Sequence, residues 1–330
     1  MRDWGARRET EVMAGEHHRS ESDLWAITSY FNPARYRSRL LNYRVFRRYL
    51  KIPLITVELS FGADFELRPG DAEILVQLRG GDVMWQKERL LNLALRALPK
   101  QCRKVVWMDC DLIVDSADWP GRLSQTLDQF PVVQPFSRVG YLAHAAELKD
   151  GSTDGEVDFW RTSVAHLIDK GHPASDSLNN LRRPFERNCA RGLVWAAHRD
   201  LLDRHGFYDV CIVGNGNLAI ACAAYGCFDV VIQHQGMNEW QRAHYLAWAR
   251  PFFQDVRAAV ASVDSPLLHL WHGELPSRRY RERLEDVWPF QIDPYRDIAI
   301  AENGAWRWNS DKPGLHQYLK DYFAARKEDG

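Results

Sequence analysis

The chain has 330 residues, of which 45% are hydrophobic and 26% are charged, a composition typical of a globular domain rather than a disordered or fibrous chain. Its formal net charge of −1 creates no overall attraction to nucleic acid, so we exclude nucleic acid as a partner. No apolar run reaches the length needed to cross a bilayer, and we predict no transmembrane segment.

The cysteines and the N-terminus bear on location. The six cysteines form no Cys-x-x-Cys pair, which favours free thiols in a reducing compartment over disulfides or structural zinc. The first 22 residues are charged and lack the apolar core of a signal peptide. We therefore predict a cytoplasmic protein with a disordered N-terminus over residues 1–22.

The first half of the chain alternates strand-like apolar runs with helical patterns. This order is typical of a doubly wound, mostly parallel sheet flanked by helices. Ligands bind such sheets beyond the carboxyl ends of the strands. The predicted elements are strands at 24–29, 52–59, 73–78 and 104–108 and helices within 32–50 and 82–99.

The second half has weaker periodicity. Residues 145–180 are polar and rich in turn-forming residues, so we expect a long loop or an excursion at the rim of the sheet. No linker separates the two halves, and we predict a single domain over residues 23–330. Further strands are predicted at 193–197, 228–233 and 267–271, and a final helix at 314–329.

Two carboxylates, Asp109 and Asp111, follow the apolar strand at 104–108. Carboxylates this close repel each other unless a cation lies between them or one is protonated. Mg²⁺ and Mn²⁺ prefer oxygen ligands and commonly bridge to phosphates. The alternative is that one aspartate caps a turn while the other is solvated.

A second polar feature lies far downstream, where His272 and Gly273 follow the strand at 267–271 and precede an arginine-rich stretch. A histidine at a strand end could complete an Asp/His metal site, and the arginines could bind phosphate. The alternative is a solvated, basic helix start. We interpret His269, in the same strand, as a polar residue with ordinary partners rather than a ligand.

An ordered series of segments along most of the chain resembles the GT-A-fold, nucleotide-sugar-dependent glycosyltransferases, in which WMDCDLIV would be the D-x-D motif. The resemblance implies an α/β, GT-A-like (Rossmann-like) fold. Its nucleotide-sugar half would be about 23–140 and its irregular acceptor-side half about 141–330. The segments are ITSYFNPARYRSRLLNY, WQKERLLN, WMDCDLIV, GFYDVCIVGNGNLAIACAAYG and HLWHGELPSRRYRER.

The same resemblance implies roles for individual residues. Mn²⁺ or Mg²⁺ would be held on the donor diphosphate by Asp109, Asp111 and His272. Other residues would contact the donor at its base or its phosphates, and one aromatic residue could face the acceptor sugar, although a strand Trp is more often core. The donor candidates are Thr28, Tyr30, Arg79, Lys87, Asp109 and Arg278, and the acceptor candidate is Trp195.

The sequence departs from the family pattern at the glycine-rich turn. Relatives usually carry an acidic residue there, which acts as the general base in inverting enzymes, whereas this chain has Asn217. An amide cannot accept the acceptor's proton at neutral pH. Three explanations stay open: a retaining mechanism without a base, another carboxylate as the base, or impaired catalysis.

These observations predict a metal-dependent, hexosyltransferase-like glycosyltransferase that moves a sugar from a nucleoside diphosphate sugar, with a UDP-sugar favoured, to an unknown acceptor. The alternative is a catalytically impaired nucleotide-sugar or glycan-binding protein with the same fold. A nucleotidyltransferase ranks lower because SYFNPARYR lacks the glycines of a phosphate loop. A glycoside hydrolase, which works with two carboxylic acids around the glycosidic bond, fits poorly.

Overall fold

The computed structural model of the protein describes residues 22–62, 64–144, 156–179 and 189–330. The predicted disordered N-terminus, residues 1–22, lies outside this part of the chain apart from Ser22. All six cysteines are free. In the part of the chain that the structure describes, no helix is both long and apolar enough to span a membrane.

The described part of the chain contains thirteen strands and eleven helices, together with two short 3₁₀ turns at Leu275–Arg278 and Trp288–Phe290. The strands are β1 (Leu24–Phe31), β2 (Leu54–Ser60), β3 (Ile74–Arg79), β4 (Lys104–Met108), β5 (Leu112–Ile113), β6 (Val132–Gln134), β7 (Arg138–Leu142), β8 (Val157–Thr162), β9 (Val194–His198), β10 (Val260–Ser262), β11 (Pro266–His269), β12 (Ile298–Ile300) and β13 (Trp306–Trp308). The helices are α1 (Arg37–Tyr49), α2 (Lys87–Arg96), α3 (Trp119–Leu127), α4 (Val164–Asp169), α5 (Ala174–Leu178), α6 (Arg199–His205), α7 (Gly216–Tyr225), α8 (Phe228–Gln235), α9 (Glu239–Val256), α10 (Glu282–Glu285) and α11 (Pro313–Ala324).

A seven-stranded sheet with the order β10-β6-β9-β4-β1-β2-β3 forms the centre of the protein. Its neighbouring strands run parallel except at β9, which is antiparallel to β4 and β6. One apolar cluster packs helix α2 and helices α7 to α9 on one face, and a second packs α1 and α3 on the other. The predicted α/β class, a mostly parallel sheet flanked by helices, is confirmed.

Strand β4 delivers the two aspartates to one edge of this sheet. All five of its residues are buried, as expected for a strand covered on both faces. Its parallel register with β1 pairs Ala26 with Val106, so the carboxyl ends of both strands lie at the same edge. Asp109 and Asp111 therefore begin where the apolar strand reaches that edge.

A second sheet, with the order β5-β11-β7-β8, brings the downstream histidines to the same place. Strand β5 follows directly after Asp111 and pairs antiparallel with β11, with Leu112 opposite His269. The Leu270 backbone N–H also donates to the Asp111 carbonyl oxygen over 2.8 Å. The predicted strand at 267–271 thus exists, but it lies in this second sheet.

Two of the secondary-structure predictions need correction. The apolar run 228–233, predicted as a strand, is helix α8, because a short apolar run has no period that distinguishes a buried strand from a buried helix. Residues 145–180, predicted as a loop, contain β8, α4 and α5 in their described portion, 156–179. The remaining residues of that prediction lie outside the described ranges.

The C-terminal tail after α11 is fixed by a buried ion network beneath the arginine-rich stretch. Glu328, with 0% exposure, accepts from Arg39 Nε over 2.6 Å and from Arg326 Nε over 2.5 Å. Gly273 has φ +97°, and a Cβ there would lie 2.7 Å from the Lys327 carbonyl oxygen. The tail therefore supports the turn that follows β11.

We predict that Glu328→Gln lowers the free energy of unfolding by about 3–5 kcal/mol, since it leaves the buried Arg326 and the largely buried Arg39 without their carboxylate. Despite burial, the charges of Arg39 and Arg326 lower the pKa of Glu328 to about 2 in the folded protein. The native state therefore binds fewer protons than the unfolded state, and wild-type stability should fall as pH decreases from about 4.5 toward 2. Urea unfolding against pH measures both effects.

The control is Glu285→Gln, because Glu285 pairs with the exposed Arg281 on the surface. Its unfolding free energy should match that of the wild-type protein. Equal stability of Glu328→Gln and wild type would contradict the assigned role of the tail network.

Candidate functional site

A cleft of about 900 Å³ opens at the edge of the central sheet where β1 and β4 end. Its walls come from the ends of these strands, the start of α2, the turn before α7, strands β7 and β8, and the arginine-rich stretch after β11. Aromatic side chains, among them Phe31, Trp85, Tyr141 and Phe159, form part of the lining. This volume is in the range of ligand-binding clefts in proteins.

Asp109 already has a cationic partner in the protein. The Lys87 ammonium, 6% exposed at the start of α2, forms an ion pair with Asp109 Oδ1. Burial acts to lower the pKa of Lys87, but the Asp109 carboxylate outweighs it and the pKa is raised. Lys87 is therefore charged, and Asp109 is less available to a metal ion than the sequence predicts.

Asp111 faces two histidines rather than one. Its Oδ2 lies 3.2 Å from His272 Nε2 and its Oδ1 lies 3.8 Å from His269 Nε2. The two imidazole Nε2 atoms are 3.4 Å apart. Asp111 Oδ1 is buried and has no hydrogen-bond partner among the described residues. A ligand atom from each of the three side chains lies within 4.8 Å of the others, a separation compatible with one metal ion.

The protonation states of this cluster favour metal binding. Burial lowers the pKa of His269 to about 3, and burial together with the Arg278 charge lowers the pKa of His272 well below its ordinary value. Both imidazoles are therefore neutral at pH 7, which is the form that binds metals. Burial also raises the pKa of Asp111, an electrostatic cost that a bound cation would offset.

The donor set fits Mn²⁺ better than Mg²⁺. Two imidazole nitrogens and one carboxylate suit Mn²⁺, Fe²⁺ or Zn²⁺, whereas Mg²⁺ prefers oxygen ligands throughout. Arg278 Nη2 donates to His272 Nδ1 over 2.5 Å, which leaves the imidazole proton on Nε2. A metal ion on Nε2 requires the other tautomer, so metal binding and this hydrogen bond exclude each other.

Three arginines that line the cleft have no carboxylate within 4.0 Å among the residues that the structure describes. Arg278 and Arg283 are 6% and 5% exposed, and the Nε of each lacks a hydrogen-bond partner. Arg283 instead donates from Nη1 to the Tyr322 hydroxyl, and Arg191 donates from Nη1 to the Leu178 carbonyl oxygen. Buried cations without counter-charges are costly, so the cleft is suited to an anionic ligand.

The turn before α7 places Asn217 in the cleft. Gly214 and Asn215 have φ of +89° and +76°, and the helix begins at Gly216. The Asn217 amide packs against Gly192, and its Oδ1 lies 3.5 Å from Lys87 Nζ. Asn217 therefore contacts the same lysine that holds Asp109.

The predicted roles of Thr28 and Tyr30 need correction. Thr28 is 1% exposed and donates to the Met108 carbonyl oxygen, so it joins β1 to β4. Tyr30 is 2% exposed and donates to Glu66 Oε2 over 2.5 Å, away from the cleft-lining residues. Because side chains alternate across a strand, Ser29 and Phe31 line the cleft instead.

Two further candidates, Arg79 and Trp195, lie outside the cleft. The Arg79 guanidinium stacks over the Phe65 ring at 4.5 Å and is not among the cleft-lining residues. Trp195 is 1% exposed within β9 and donates from Nε1 to the Arg191 carbonyl oxygen, so it leaves no ring face for a sugar. Trp195 is therefore a core residue rather than the predicted acceptor contact.

Sequence reasoning missed His269 as a member of the cluster. The local sequence around a histidine in an apolar strand does not distinguish a metal ligand from a buried core residue. The available signal was the spacing of His269 and His272 around the end of a strand that could pair beside the two aspartates. Glu88, which also lines the cleft, was missed because it lies in an ordinary helical pattern.

We predict that Asp111→Asn and His269→Ala each weaken Mn²⁺ binding by roughly tenfold or more, because each removes a direct ligand. Mutation of a residue that only hydrogen-bonds to a metal ligand already lowers metal affinity by about tenfold or more. Asp109→Asn should retain near wild-type Mn²⁺ affinity, since Lys87 occupies that carboxylate. Isothermal calorimetry with Mn²⁺ alone measures all three. Loss of binding in Asp109→Asn with full binding in His269→Ala would instead support the ligand set expected from the sequence.

No protein-family model matches the chain, and no curated protein matches it. Among solved structures, the chain is similar to glucosyl-3-phosphoglycerate synthase from Mycobacterium tuberculosis with Mn²⁺, UDP-glucose and phosphoglyceric acid, at 15% identity and TM-score 0.41 over 93% of each chain. It is similar to S. aureus TarS 1–349 with UDP-GlcNAc at 10% identity and TM-score 0.32, over 61% of this chain and 52% of that one. It is also similar to 4-diphosphocytidyl-2C-methyl-D-erythritol synthase from Anaerococcus prevotii, at 13% identity and TM-score 0.31, over 76% of this chain and 89% of that one.

Proposed function

We propose that the protein is a metal-dependent, hexosyltransferase-like glycosyltransferase that moves a sugar from a nucleoside diphosphate sugar, with a UDP-sugar favoured, to a hydroxyl-bearing acceptor. The D-x-D resemblance supports the class of reaction. The chemistry of the cleft supports the class of donor.

The observation that carries the proposal is the position of a metal-ligating cluster beside unpaired cations. Asp111, His269 and His272 can hold one divalent ion, and Arg278 contacts that cluster directly through His272. Arg283 completes a cationic wall of the same cleft. A ligand that satisfies both features carries several negative charges and coordinates a metal through oxygen, which is the chemistry of a metal-bound diphosphate.

Each group then has a role in donor binding. Asp111, His269 and His272 would hold the metal, and a metal bound there supplies Lewis-acid neutralisation of the departing diphosphate. Arg278 also donates to the His272 carbonyl oxygen, a contact that a metal on the imidazole would leave in place. Its Nε has no partner among the described residues and could donate to a phosphate oxygen. Lys87 keeps Asp109 in place at the floor of the cleft.

The alternative is a binding protein that keeps the fold without catalysis. It is favoured by one observation, the amide of Asn217 at the turn where the family resemblance implies an acid. Turnover separates the two: a glycosyltransferase releases free UDP from a UDP-sugar, whereas a binding protein leaves the donor intact.

We predict that UDP binds with Mn²⁺ present and fails to bind without it, because the diphosphate and the cluster share the metal. Arg278→Ala should weaken UDP affinity by about ten- to a hundredfold, the cost of a lost hydrogen bond to a charged group. The same variant should bind Mn²⁺ alone at least as tightly as the wild-type protein, because it loses the hydrogen bond that competes with the metal for His272. Calorimetry of UDP with and without Mn²⁺ measures these affinities.

The matched control is Arg307→Ala, because Arg307 is exposed and lies outside the cleft. It should bind UDP as the wild-type protein does. Metal-independent binding of UDP by the wild-type protein, or equal losses in the two arginine variants, would contradict the proposed diphosphate site.

We predict that Asn217→Asp lowers turnover rather than restoring a missing base. The new carboxylate would lie beside Lys87 Nζ and compete with Asp109 for its charge. Release of UDP from a panel of UDP-sugars measures the effect, with Asn217→Ala as the comparison. An increase in rate that grows with pH through the carboxylate range would mean that the natural protein is an impaired inverting enzyme.

A further inference from the structure

Glu88 is a buried carboxyl group in the wall of the cleft. It is the second residue of α2, is 2% exposed and lines the cleft beside Lys87. Successive helical residues point about 100° apart, so Lys87 reaches Asp109 while Glu88 points elsewhere. Its carboxyl group packs against Gly216, where a Cβ would overlap it. Glu88 thus lies at the first turn of α7, next to Asn217.

The carboxyl group of Glu88 has no role within the protein that would explain its burial. The carboxyl group accepts from the Glu88 backbone N–H, and no hydrogen bond or ion pair joins it to another residue in the described part of the chain. Burial of an acid costs free energy that an apolar side chain at this position would not cost. Buried carboxyl groups with this kind of cost are typical of functional sites rather than of stabilising contacts. Its position in a cleft indicates a ligand-directed role.

The surroundings of Glu88 bring the pKa of its carboxyl group close to neutral pH. Burial raises the pKa of Glu88 to about 7, against the opposing charge of Lys87. The other titratable groups that face it are Asp109, Asp209 and Cys211. Asp209 accepts hydrogen bonds from Arg89 and Asn92 and does not line the cleft.

We propose that Glu88 is the general base of the transfer reaction and supplies, from α2, the carboxylate that position 217 lacks. This inference rests on the proposed function. A base near neutral pKa matches the demands of proton abstraction at pH 7.

The Glu88 carboxylate takes the proton of the acceptor hydroxyl as the acceptor oxygen bonds to the anomeric carbon of the donor. The bond from that carbon to the β-phosphate oxygen breaks, and its electron pair leaves with the nucleoside diphosphate. The proton then passes from Glu88 to solvent. Attack by a base-activated hydroxyl opposite the leaving group inverts the anomeric configuration.

The test compares the wild-type protein with Glu88→Gln, using UDP-glucose with Mn²⁺ and water as the acceptor. UDP–Mn²⁺ affinity should stay near the wild-type value, while glucose release should fall by roughly a hundredfold or more. The wild-type rate should rise with pH through about 7, following the folded pKa of Glu88, and this rise should be absent in Glu88→Gln. The wild-type product should be β-glucose from the α-linked donor, read by proton NMR.

Controls separate the possible causes of a loss. Glu302→Gln makes the same change at an exposed glutamate outside the cleft and should leave the rate and its pH profile unchanged. Glu88→Gln removes a buried charge, so its melting temperature should not fall below that of wild type. Glu88→Asp should restore part of the rate together with the pH dependence.

The outcomes also separate this inference from the proposed function. Absence of UDP–Mn²⁺ binding, or of turnover across the donor panel, in the wild-type protein would overturn the proposed function and the inference with it. Intact binding with an unchanged rate in Glu88→Gln, or an α-configured product, would overturn the role of Glu88 alone.

Discussion

The antiparallel pairing of β5 with β11 is the interaction on which the cleft depends. It places Leu112 opposite His269, and the Leu270 N–H donates to the Asp111 carbonyl oxygen. These few backbone hydrogen bonds join residues about 160 positions apart and bring a carboxylate to two imidazoles. Without this pairing, the aspartates would end the central sheet in isolation, and the arginine-rich stretch would have no anchor beside them.

Buried charge is the second constraint, and the protein meets it in two different ways. The tail network satisfies Arg39 and Arg326 fully with Glu328, so it stabilises the fold. In the cleft, Arg278 and Arg283 have no such carboxylate within the described ranges. The charges of the cleft arginines are therefore not offset within the described part of the chain, which is a cost to the stability of the fold.

The sequence predicted what local patterns determine. The apolar strand before Asp109 and the strand–helix alternation identified the parallel sheet and the edge where a ligand would bind. Positions that depend on long-range pairing were not predictable. His269 joins the cluster only because β11 pairs with β5 beside Asp111. Tyr30 and Phe31 lie on opposite faces of β1, and which face borders the cleft depends on how the sheet packs. The pairing of Lys87 with Asp109 likewise depends on how α2 packs against the sheet, which no local period encodes.

The most direct test of a shared metal–diphosphate site is electron–nuclear double resonance of Mn²⁺ bound to the protein in the presence of UDP. We expect one Mn²⁺ ion to couple both to histidine nitrogens and to the phosphorus nuclei of UDP, and we expect His269→Ala to reduce the number of coupled nitrogens. Two results would contradict a shared metal–diphosphate site. One is Mn²⁺ coupled to phosphorus but to no histidine nitrogen, and the other is Mn²⁺ coupled to histidine nitrogen but, with UDP present, to no phosphorus.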